Sequence, residues 1–135
     1  ASQEGEFRWS YCITSTDALS NAAAINFTRN SRIPVYARIM PVGKENNMPM
    51  DFSAFGIDES NLLMTSCTLS KDPGWLLLNV RETEGKDATL IFKDGSGKPI
   101  LFRVVNAIED PLSDLVTAQP FKAEENKFIK LKIEQ

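Results

Sequence analysis

The stretch LLMTSCTLSKDPGWLLLNVRE, residues 62–82, decides how this chain is read. Leu62 to Leu69 reads as a strand, with Leu63, Thr65, Cys67 and Leu69 in phase on one face. Lys71-Asp72-Pro73-Gly74 is a turn signal, because proline presets a turn dihedral and glycine adopts what other residues avoid. Trp75 to Glu82 then sets Leu76, Leu78 and Val80 against Trp75, Leu77 and Asn79. Both faces are apolar where this segment starts, so a central strand is expected there. Two strands across a tight turn make the chain β-rich and antiparallel.

Period-two patterning recurs on either side. Phe7, Trp9, Tyr11 and Ile13 alternate with Arg8, Ser10, Cys12 and Thr14, which predicts an early strand with an aromatic face. Asp17 to Ala24 is alanine-rich and suits either one or two helical turns, which Thr16 or Asp17 could cap, or a loop. Strands are expected at Ile25–Arg29 and Ile33–Met40, the latter opened by Pro34 as an edge. Residues 41–49 form a polar connection, and 56–61 a turn. Ala88–Lys93 and Pro99–Val105 make a hairpin about Asp94-Gly95-Ser96-Gly97. Asp110-Pro111 opens a short helix in which Leu112, Leu115 and Val116 fall at helical spacing. The chain closes on an alternating strand, Lys127–Ile133, whose outward Phe128, Lys130 and Lys132 suit a sheet edge. The sum is a mainly β domain over residues 1–135. An antiparallel β-sandwich, Ig-like or transthyretin-like with Greek-key connections and one or two short helices, is the expected fold; a small closed barrel is the alternative.

Composition narrows the chemistry. With 42% hydrophobic and 24% charged residues the chain can build a core, so disorder is not expected. A net charge of −3 gives no electrostatic reason to expect nucleic acid, and no apolar run is long enough to span a bilayer. The chain has no histidine and two cysteines, Cys12 and Cys67, outside any C-x-x-C spacing. That argues against a metal site or cysteine–histidine nucleophile and for a disulfide, which would stabilise the fold by roughly 3–5 kcal/mol in a chain-entropy model. Two buried free thiols are the alternative. A disulfide in turn favours a periplasmic or secreted protein, with Ala1–Gly5 as the start left by removal of a signal peptide; a cytosolic protein with a trimmed start is the alternative.

No catalytic constellation stands out, and no cofactor or metal is expected. Gly95-Ser96-Gly97-Lys98 lacks the spacing of a phosphate loop and is followed by Pro99. Asp58 and Glu59, and Glu109, Asp110 and Asp114, could supply paired carboxylates, but each group sits beside a turn or helix start, where acids cap backbone N–H groups. The expected function is therefore a non-enzymatic module that binds a protein partner, such as a secretion or envelope accessory protein. A periplasmic inhibitor or immunity protein that blocks an enzyme or toxin is the alternative. The expected contact surface is the polar loop with Lys44, Glu45, Asn46, Asn47, Met48 and Met50, whose methionines offer an adaptable apolar contact. The run Ser31-Arg32-Ile33-Pro34-Val35-Tyr36-Ala37-Arg38-Ile39, with Asp51-Phe52 and Phe55, resembles the outer-membrane lipoprotein of type VI secretion. The resemblance covers about a fifth of the chain and implies a transthyretin-like sandwich that docks a protein; that family's lipid-bearing first cysteine is missing.

Overall fold

The computed structural model describes residues 5–6, 8–17, 20–33 and 53–133. The chain divides into two compact units, Ala1–Arg38 and Ile39–Gln135.

In the first unit, helix α1 runs from Asn21 to Arg32. Ser20 caps it, its Oγ accepting from the Ala23 N–H at 3.2 Å, and Arg29 and Arg32 place positive charge in the last turn. The helix thus starts later than the expected Thr16 or Asp17 cap and absorbs the strand expected at Ile25–Arg29. Ala22-Ala23-Ala24 supplies strong helix formers, and once a cap is in place the helix continues through Ile25 and Phe27. Residues 8–16 carry no strand. Trp9, Tyr11 and Ile13 are 77%, 83% and 92% exposed. Alternation fits a pleated surface, but a strand also needs a neighbour for its backbone groups, and none pairs with this stretch among the described residues. The strand expected at Ile33–Met40 falls mostly outside the described residues.

The second unit is mainly β and antiparallel. Its strands are β1 (Gly56–Ile57), β2 (Leu62–Leu69), β3 (Trp75–Glu82), β4 (Ala88–Leu90), β5 (Phe92–Lys93), β6 (Phe102–Val105), β7 (Gln119–Phe121) and β8 (Asn126–Lys132). A four-stranded sheet has the order β2-β3-β8-β6; β1 pairs with β5 and β4 with β7. The turn between β2 and β3 contains Pro73 followed by Gly74 at φ +80°, and Ser70 N–H closes it on the Trp75 carbonyl at 3.0 Å. Asp94 organises the turn after β5: its Oδ1 accepts from the Ser96 N–H at 2.8 Å and the Lys98 N–H at 2.9 Å.

The core lies on one face of the four-stranded sheet. Leu62, Leu78, Val80, Phe102, Ile129 and Leu131 from that sheet pack with Leu90, Phe92 and Phe121 from the smaller ones. Phe92 sits at the junction, edge-to-face with Phe55 at 5.8 Å and with Phe102 at 5.2 Å between ring centroids.

Three expectations for this unit are corrected. The hairpin expected between Ala88–Lys93 and Pro99–Val105 is reduced to a bridge between Lys93 and Pro99, because β4 pairs with β7, β5 with β1 and β6 with β8. β8 is a central strand, flanked by β3 and β6, and its Lys130 is buried. The segment after Asp110 forms no helix. Pro111 and Val116 instead bridge to β6, because β6 needs partners for its outward backbone groups: Phe102 N–H reaches the Val116 carbonyl at 2.9 Å, and Leu112 N–H the Val104 carbonyl at 2.8 Å.

Candidate functional site: the open edge of β2

β2 and β6 are the two edges of the main sheet, and they differ. On β6 the segment 111–116 takes up the outward groups, with Ser113 Oγ accepting from the Val104 N–H at 2.9 Å. β2 pairs with β3 on one side and with nothing on the other among the described residues.

The phase of the open edge follows from one bond. Ser70 N–H points to Trp75 in β3, and successive residues send their backbone groups to opposite edges. Ser66 and Thr68, aligned with Asn79 and Leu77, therefore also point to β3. Cys67 and Leu69 point their N–H and C=O groups away from the sheet. The register shifts between Met64 and Ser66, a β-bulge at Thr65, whose Oγ1 donates to the Asn79 carbonyl at 3.2 Å. The bulge also changes which side chains share a face. Leu62, Met64, Cys67 and Leu69 lie opposite Glu82, Val80, Leu78 and Leu76, so all four stand on the core face. Alternation alone had put Leu63 and Thr65 in phase with Cys67.

That core face runs past its cover. Leu62 is buried, yet residues 65–69 are exposed, Leu69 at 82%. Further along the same face, a cavity of about 300 Å³ is lined by Phe55, Leu76, Ile100, Leu101, Leu131 and Ile133 among others, mostly apolar. An uncharged strand whose outward backbone groups have no partner among the described residues, beside an exposed apolar face, is what a polypeptide adding a strand requires.

Both cysteines are exposed and unpaired, which overturns the expected Cys12–Cys67 disulfide. Cys12 lies in the irregular stretch before α1, and Cys67 on the open half of β2. Cys12 lies on no strand, and Cys67, though paired with Leu78 of β3, is exposed rather than buried. Partial burial pushes the Cys67 thiol up from its ordinary pKa, so it is protonated at neutral pH and is no activated nucleophile. The contact surface expected at Lys44, Glu45, Asn46, Asn47, Met48 and Met50 lies outside the described residues.

A second cluster gathers on the opposite face of the sheet. Lys130, its side chain 5% exposed, pairs with Asp72 and with Glu109 Oε2 at 3.3 Å. Glu109, at φ +70°, also accepts from Ser70 Oγ and from the Lys71 N–H at 3.1 Å. The Arg103 guanidinium lies 5.1 Å from the centre of the Trp75 ring, and the cavity between these groups measures about 250 Å³. Its charges are locked. Burial alone would lower the Lys130 pKa, but its bonds to Asp72 and Glu109 outweigh that and raise it. The Ser70 hydroxyl leads in holding Glu109 low, against burial and with the Lys71 N–H and Lys130 helping. With the lysine pushed up and the carboxylate pushed down, neither group exchanges a proton near neutral pH. The cluster ties the β2–β3 turn and the loop before Pro111 to β8.

No protein-family model matches the chain, and no curated protein or solved structure matches it.

Proposed function

We propose that the chain is a non-enzymatic protein-binding module that receives an extended segment of a protein partner along the open edge of β2. One observation carries this reading: the Cys67 and Leu69 backbone groups face outward, while the equivalent groups of β6 are covered. Main-chain hydrogen bonds would supply affinity, and alternate side chains of the incoming strand would cover Cys67 and Leu69. The face-to-face packing of the β4, β5 and β7 core residues on the main sheet supports a sandwich as the finer architecture. Export to the periplasm or cell surface loses its main support with the disulfide.

The test uses a photo-reactive side chain at Ser66, Thr68 or Leu69 and, as control, at Thr89 in β4. Cross-links to a polypeptide from the β2 positions alone, lost when Cys67→Pro removes an outward N–H, are the expected result. Equal capture from β4, or capture insensitive to Cys67→Pro, would count against the edge.

A further inference from the structure

We infer that the strand received by β2 is the β2 of a second copy of this chain, running antiparallel with the two-fold axis at Thr68. The inference rests on the reading of the β2 edge as a binding surface and names its occupant.

Residues Leu62–Leu69 contain no charged residue and no proline, the usual means by which an edge repels another edge. In an antiparallel pair of identical strands every charge recurs across the two-fold axis, so an uncharged edge meets no like-charge repulsion there. The charges that follow are held elsewhere: the Lys71 ammonium donates to the Ile108 carbonyl at 2.9 Å, and Asp72 pairs with Lys130.

Register follows from the phase of the backbone. Outward residues must meet outward residues: a two-fold at Cys67 would set Leu69 against the bulge at Thr65, and one at Leu69 would set Cys67 against Lys71, whose N–H is bonded to Glu109, so a two-fold at Thr68 makes the fullest use of both outward residues. With the two-fold at Thr68, Cys67 lies opposite Leu69 of the second copy, and the reverse pair repeats the contact. The pairing uses Ser66 to Ser70 and stops short of the bulge at Thr65. Both faces are then matched. On the core side, two cysteines and two leucines close over one another beside the exposed apolar face. On the other side, Ser66 meets Ser70 and Thr68 meets Thr68, all hydroxyl-bearing. The bulge bends the edge away beyond Thr65 and so limits the pairing to this short window, which predicts a reversible dimer, not a filament.

The test is sedimentation of the full chain up to submillimolar concentration, with residue-resolved amide exchange on a dilute sample. The expected result is a concentration-dependent dimer that Leu69→Lys and Cys67→Lys each weaken roughly tenfold or more, by placing like charges across the axis. Both substitutions fall on exposed positions, and an unchanged circular dichroism spectrum verifies folding. In a Cys12→Ser, Cys67→Ser background, oxidation should cross-link Thr68→Cys, because residues at a non-hydrogen-bonded two-fold pair lie about 4.5 Å apart in Cα. Ser66→Cys should not cross-link, its copies being about 13 Å apart along the strands. A monomer with fast-exchanging Cys67 and Leu69 amides overturns self-pairing but leaves the edge available to a different polypeptide. A monomer in which those amides exchange slowly overturns both readings. A dimer that ignores Leu69→Lys and is lost in Ile13→Asp overturns this inference in favour of the exposed stretch before α1.

Discussion

Glu82 shows how one side chain can hold several backbone segments in place. It is buried, and its carboxylate accepts from Asn61 Nδ2 at 3.0 Å and from the N–H groups of Glu84 at 2.7 Å, Gly85 at 2.9 Å and Glu124 at 2.7 Å. Burial pushes its pKa up, but these donors together outweigh burial and bring it to about 2. A carboxylate lowered by folding contributes stability that is present above its unfolded pKa and lost as pH falls through the folded value. For Glu82 that window runs from 4.5 down to about 2, and Glu109, Asp94 and Glu125 are lowered in the same direction. Glu82→Gln should therefore lower the melting temperature at pH 7 and flatten its fall in acid; melts between pH 7 and 2.5 measure both. Lys130 acts in the opposite direction. Its pKa is raised on folding, so its contribution is fully present below 10.5 and is lost as pH rises through the higher folded value. Lys130→Met should destabilise the chain at neutral pH and shrink the alkaline loss seen in melts above pH 10.

The β2–β3 pairing, closed by a local turn, was readable from sequence, whereas pairings with distant partners were not. β2 and β3 occupy the segments expected for them, because Pro73-Gly74 closes them locally. Gly74→Ala forces a side chain into positive φ and should cost about 1 kcal/mol in urea unfolding without altering the dimer. β8 was recognisable as a strand from its alternation, but its lysines suggested an edge. Only the acids at positions 72 and 109, remote in sequence, make a buried Lys130 tolerable. The helical spacing after Asp110 was misleading for a similar reason: β6 needed hydrogen-bond partners, and that segment supplies them. The bulge at Thr65 also escaped the alternation pattern, and with it the face on which Cys67 stands. The candidate site was thus half legible: the strand and its lack of charge can be read directly, while its openness depends on which other segments leave it uncovered.

At the scale of the whole molecule, the second unit draws its stability from a small shared core. Phe92 joins the main sheet to the smaller ones, so Phe92→Ala should cost about 3–5 kcal/mol and move the urea midpoint sharply. The same core leaves the outer end of the β2 face without cover, and this is where stability and function meet. The apolar side chains that complete a core elsewhere are exposed at Cys67 and Leu69, beside backbone groups with no partner among the described residues. Amide exchange in dilute protein tests that claim most directly. Slow exchange is expected at Ser66 and Thr68, which bond to β3, and exchange faster by orders of magnitude at Cys67 and Leu69. Slow exchange at all four amides would contradict it.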